Sequence, residues 1–187
     1  ILENLKNQDI GNLYGDPGWV SKISNFSNEP NRNTQMEFFM PVILGKYADV
    51  SNTYFDATDY DNMLFGNNPT GSLSNYYEEI SYGNFEIDGS VNGWYQSSLT
   101  QSQAVENVRQ YVSELASLAD SDIDYGLYDN DGPDNIPNSG DDDGYVDGLA
   151  VVYQGCLSGS DNIWAHQSSL GSSQYVSNDQ APNGDYI

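Results

Sequence analysis

The chain has 187 residues, 37% of them apolar, which is enough for one domain with a packed core. Twenty-eight carboxylates face only five cations (Lys6, Lys22, Arg32, Lys46 and Arg109), for a formal charge of -23. Such a surface repels phosphate backbones and anionic headgroups, so nucleic acid and membrane surfaces are excluded as partners and divalent metals are the natural counter-ions. No apolar run approaches the roughly 20 residues of a membrane-spanning helix.

In chain order, residues 1–37 are polar and without sustained period, with turn signals at Asp16-Pro17-Gly18 and Glu29-Pro30-Asn31. They read as a lead-in segment or the tail of a propeptide. The chain opens at Ile1 without an initiating Met or a leader, as expected of a processed product or an excised piece. The apolar run from Phe38 to Tyr47, interrupted only by Pro41, Gly45 and Lys46, predicts a buried strand. Residues 49–71 carry Asp, Asn, Thr and Gly throughout and read as a long loop.

Ser72 can cap a short helix in which Leu73, Tyr76, Tyr77 and Ile80 share one face, with Gly83 placed for a left-handed C-terminal cap. Phe85, Ile87 and Val91 alternate and Trp94 follows, so 84–97 reads as a strand or hairpin. Thr100 and Gln103 form a capping box that opens a helix over 101–119, whose Val105, Val108, Val112, Leu115 and Ala119 recur at three and four residues. Val146 and Leu149 to Tyr153 predict another strand, and Asn162 to Gln167 a short final one. Helices alternating with strands give an α/β (α+β) layer, a sheet with two helices packed on it. Cys156 is the only cysteine, so it is either a buried thiol or the partner of a cysteine outside this sequence.

Between the 101–119 helix and the next strand, residues 120–147 hold ten aspartates and no Lys or Arg. Carboxylates two apart, followed by glycine, wrap the backbone around a point and bring several hard oxygens to about 2.3–2.6 Å of one ion, as calcium requires. Asp129, Asp131, Asp134, Asp141, Asp143 and Asp147 are the candidate ligands, with carbonyls near Asn135 or Tyr145 to complete the shell. The pattern is not an EF-hand, because Gly140 and Pro133 stand where that loop needs ligands. A bare solvated loop is the bland alternative. Its ends are fixed by a helix and a buried strand, and ten like charges repel unless a cation sits among them.

A catalytic zinc needs three protein ligands, whereas the chain has one histidine, His166, and no H-E-x-x-H. His166 has no nucleophile elbow to serve and reads as a structural histidine satisfied by local hydrogen bonds. Glu78 and Glu79 point about 100° apart on their helix and read as a solvated face. No residue of the chain is assigned a catalytic role.

Several segments together resemble a known family. They are Pro41-Val42-Ile43-Leu44, Tyr47-Ala48-Asp49, Leu64-Phe65-Gly66, the run Gly71-Ser72-Leu73-Ser74-Asn75-Tyr76-Tyr77-Glu78-Glu79-Ile80-Ser81-Tyr82-Gly83-Asn84-Phe85, Gly93-Trp94-Tyr95, the Asp124 to Asp147 loop, and Ile163-Trp164-Ala165-His166. In this order they resemble the secreted bacterial zinc metallopeptidases of the immune inhibitor A type, over roughly residues 40–187. The resemblance implies a zincin-like upper subdomain, with a twisted mixed sheet above a zinc cleft and 38–187 as the N-terminal part of the catalytic domain. It also implies an extracellular enzyme acting on peptide or protein substrates. The cleft edge would lie near Trp164, the calcium loop would brace the sheet, and the remainder of the catalytic domain would bring H-E-x-x-H and the zinc. A calcium-stabilised binding or adhesion module and a non-catalytic peptidase homologue are the alternatives.

Overall fold

The structure, a computed structural model, describes residues 36–51, 53–134, 136–155, 163–180 and 187. The lead-in segment up to residue 35, Asn135, Cys156 and Asn162 lie outside these. Strand β1 (Met36–Lys46) is the middle of a three-stranded parallel sheet, flanked by β2 (Phe85–Gln96) and β3 (Ala150–Tyr153) in the order β2-β1-β3. Residues 41–45 of β1 are buried, and Val42, Ile43 and Leu44 are inaccessible on both faces of the strand. A strand enclosed in this way is uniformly apolar instead of alternating. Pro41 is tolerated there because pairing with β3 begins only at Val42, opposite Ala150, so one side of β1 has no ladder at the proline. Pairing with β2 runs from Met36 opposite Phe85 to Lys46 opposite Gln96, with a register shift between Leu44 and Gly45.

The sheet corrects the expectation of a mixed arrangement, since all the described pairings are parallel. Each step between strands is a helical crossover, the connection that parallel neighbours require. The first crossover holds α1 (Ala57–Leu64) and α2 (Leu73–Ile80), and the second holds α3 (Gln101–Glu106) and α4 (Val108–Ala119). Residues 49–71 are thus not all loop. Asp56 accepts from the Asp59 backbone N–H at 3.0 Å, and the Asp59 carboxylate accepts from the Asp56 N–H at 3.0 Å, a reciprocal cap that starts α1.

Ser72 caps α2 through the Asn75 N–H at 3.2 Å. The apolar stripe expected inside α2 is open, with Tyr76 and Ile80 more than half exposed and no residue of the helix fully buried. The Thr100–Gln103 box does open the 101–119 segment, but the helix breaks at Asn107, whose φ of -134 and ψ of 61 leave the helical region. The break turns the buried face: Ala104, Tyr111, Leu115, Ala116 and Ala119 fill the core, Val105 and Val108 flank it, and Val112 is half-buried. Tyr111 stacks on Tyr47 with ring centroids 5.1 Å apart, and Ile43 of β1 joins the same cluster. Ile163 to Gln167 form no strand. Trp164 is exposed, while Ile163 is buried against the core. No helix among the described residues is long and apolar enough to cross a membrane.

Candidate metal centre

After α4, a 3-10 turn (Tyr125–Tyr128) delivers the chain into the acidic loop, and β3 takes it out. Tyr125 and Tyr128 are buried, so the loop starts from a rigid footing. Asp129 follows directly and is 1% exposed, a carboxylate carried into the interior by its neighbours. One of its oxygens, Oδ2, accepts from the Gly144 N–H at 3.1 Å, while Oδ1 is buried without a hydrogen-bond partner. Gly144 makes that approach at φ +82, a left-handed conformation that glycine adopts without strain.

Oxygens of Asp129, Asp131 and Asp142 lie within 4.8 Å of one another, and Asp131 and Asp142 are half-buried. Asp142 is held facing inward by two backbone N–H groups, Gly132 at 2.7 Å and Ser139 at 2.6 Å. Asp131 accepts from the Asp143 N–H at 3.2 Å. Burial, then the charge of Asp142, push the Asp129 carboxyl up to about 7, with Asp143 and Asp131 adding to the effect and the Gly144 N–H opposing it. This is the signature of like charges crowded in a low-dielectric site.

The six candidates named from spacing therefore divide. Asp129 and Asp131 join the cluster, and Asp142, passed over in sequence, completes it. Asp134 and Asp141 instead share the Ser139 hydroxyl, and Asp134 also accepts from the Ile136 N–H at 2.8 Å. That hydroxyl, more than any other group, holds the exposed Asp141 below the usual aspartate range. Asp143 accepts from the Tyr145 N–H at 2.9 Å, and Asp147 from the Asn130 N–H at 3.1 Å, so both fold the loop on itself.

Three carboxylates no more than 4.8 Å apart can share one ion at roughly 2.3–2.6 Å, and an all-oxygen donor set with a buried anionic member suits a hard divalent cation. The residues present do not fit a catalytic zinc, whose imidazole-rich donor set cannot be built from one histidine. His166 is exposed, with its Nδ1 2.7 Å from the Trp164 carbonyl, a local contact that suits the structural reading.

Comparison with known proteins adds what this geometry leaves open. Immune inhibitor A of Bacillus thuringiensis subsp. alesti is 25% identical over 178 aligned residues, which cover 70% of this chain and 25% of that protein. The chain thus spans about a quarter of this curated relative. The profile described as immune inhibitor A peptidase M6, catalytic domain, matches residues 29–186, well over half of the sequence and every element named above. The chain belongs to that peptidase family.

Proposed function

We propose that residues 38–187 are the N-terminal part of the catalytic domain of a secreted zinc endopeptidase that hydrolyses peptide bonds in proteins. In this reading a calcium ion at Asp129, Asp131 and Asp142 braces the sheet of a zincin-like upper subdomain. Asp134, Asp141, Asp143 and Asp147 shape the loop around it. The zinc ligands and the catalytic base belong to the remainder of the domain, and this chain's own residues shape and brace the fold around it.

The peptidase assignment is supported by the family match, and the calcium assignment by one observation, the partnerless Asp129 Oδ1 in a wall of carboxylates. A buried ionised carboxylate without a counter-ion costs several kcal/mol, and a divalent cation reverses the sign of that term. Calcium is favoured over magnesium because several protein carboxylates converge, whereas magnesium keeps more of its water.

Thermal melting tests the calcium half. Calcium at about 100 times its Kd adds roughly 2.7 kcal/mol to a folded state that alone binds it, so Tm rises with calcium and falls in chelator. Asp131→Asn weakens the response. Melting curves that superimpose in calcium and in chelator would remove the assignment. The peptidase half is tested with a protein substrate: the 187-residue chain hydrolyses none, with or without added zinc, whereas the whole protein does and loses activity to a zinc chelator. Robust cleavage by the isolated chain would mean that the chemistry lies in residues here read as structural.

A further inference from the structure

Asn138 occupies a position that the metal centre does not explain. It lies between Asp134 and Asp141 in sequence and adopts φ +54, which a side chain rarely takes. Its backbone N–H donates to the Asp129 carbonyl at 2.7 Å, while its side-chain Nδ2 donates to the Gln180 carbonyl at 3.1 Å. One residue therefore holds both the buried carboxylate's own backbone and a segment 42 residues further along the chain. The side chain is also seated sterically, since a Cβ on Gly126 would meet its Nδ2 at 2.5 Å and its Cγ at 3.1 Å. Gly126 in turn accepts from the Asp129 N–H at 3.4 Å, which closes a small ring of contacts around Asp129.

The segment reached in this way is held elsewhere as well. Asp120 accepts from the Asn178 N–H at 3.1 Å, Asp179 accepts from the Tyr125 N–H at 2.8 Å, and Ser177 donates to the Ile187 carbonyl at 2.5 Å. Asp120 is the C-terminal cap of α4 and Tyr125 opens the 3-10 turn, both at the entrance to the acidic loop. The Asn138 amide reaches the segment from the interior of the loop.

We infer that Asn138 is a positioning residue that couples cation occupancy at Asp129, Asp131 and Asp142 to the order of residues 177–180. The inference rests on the calcium reading above. When the ion gathers the three carboxylates it fixes the backbone at Asp129, and so the Asn138 N–H that bonds to it. The Asn138 amide is then held where it clasps Gln180. Without the ion the carboxylates separate, the clasp loosens, and the segment keeps its contacts to Asp120, the 3-10 turn and Ile187.

Hydrogen–deuterium exchange on the intact protein, in calcium and in chelator, tests this. The expected result is that calcium slows exchange about tenfold or more both in peptides covering 129–145 and in those covering 174–180. In Asn138→Gly, which keeps the left-handed backbone but removes the amide, calcium still protects 129–145 but no longer 174–180. Gly126→Ala, which pushes the amide aside, gives the same separation by a different route. Protection confined to 129–145 in the unmodified protein would overturn the coupling while leaving the calcium site standing. A calcium response at 174–180 that survives both substitutions would overturn the role of Asn138. No response at 129–145 would remove the calcium reading and the coupling with it.

Discussion

Asp129 sets the pH behaviour of the loop. Its folded pKa of about 7 lies above the ordinary 3.8, so in the absence of a cation the folded state keeps a proton that the unfolded chain gives up. Stability from this group therefore falls as pH rises from about 4 to 7, and acidification within that window stabilises the cation-free protein. A bound ion reverses the preference, because protons and calcium compete for the same oxygens. In chelator, then, Tm at pH 5 exceeds Tm at pH 7, and the difference shrinks or inverts in calcium. Asp129→Asn, close in shape but neutral, is expected to gain about 1–3 kcal/mol over the unmodified protein in chelator at pH 7 and to lose its calcium response. Denaturant titrations with and without calcium check both halves, and a loss of stability in chelator would contradict the first. Spacing alone makes Asp129 and Asp131 legible as a pair around a turn. It cannot choose among Asp141, Asp142 and Asp143, because a loop has no period. What turns Asp142 inward is the Gly132 N–H, ten residues away, and the Ser139 N–H.

Among the elements, α4 is tied to β2 by a carboxylate as well as by packing. Glu114 accepts from the Ser97 hydroxyl and the Ser98 N–H, each at 2.7 Å, just past the end of β2. Burial raises the Glu114 pKa, but these two hydrogen bonds outweigh it, so the net shift is downward. A depressed carboxyl contributes stability above its unfolded pKa and loses it as pH falls through the folded value. Glu114→Gln is expected to cost about 1–3 kcal/mol at neutral pH and much less near pH 3. Equal losses at both pH values would assign the cost to packing. On the same interface, a Cβ on Gly45 would stand 2.3 Å from Leu115 and 2.6 Å from the Tyr111 hydroxyl, so Gly45→Ala overpacks the α4–β1 contact by about 1–3 kcal/mol, measurable as a lower denaturation midpoint.

The strands and capping boxes of this layer are readable because they are local: an apolar run broken only by Pro41, Gly45 and Lys46 marks β1, and Thr100 with Gln103 marks α3. The break at Asn107 is not, since the valines continue a helical period across it while the core is filled by Ala104, Tyr111 and Ala116. The start of α1 was legible in principle as the Asp56–Asp59 pair. Its Asp in place of Glu or Gln at the third position hid it among loop residues. The parallel sense of the strands also follows from the helices between them, once each is counted as a crossover.

At the scale of the molecule, the first strand among the described residues ends up in the middle of the sheet. β1 can pair with β2 once the first crossover has formed, but β3 reaches it only after the second crossover and the acidic loop have been laid down. Val42 must find Ala150, and in a chain of formal charge -23 the ten aspartates between Asp120 and Asp147 are the last barrier before it does. Contacts this distant in sequence fold slowly, because loop closure precedes any reward from pairing. Closing this loop additionally compresses like charges. If calcium is the ion gathered at Asp129, it acts on the rate of folding as well as on the lifetime of the folded state: stopped-flow refolding is faster in calcium than in chelator, whereas an ion captured only after β3 docks would change the unfolding limb alone. A newly made chain would then wait for calcium with two strands paired and β1 bare along one side from Val42 to Gly45, the edge where association with another chain is easiest.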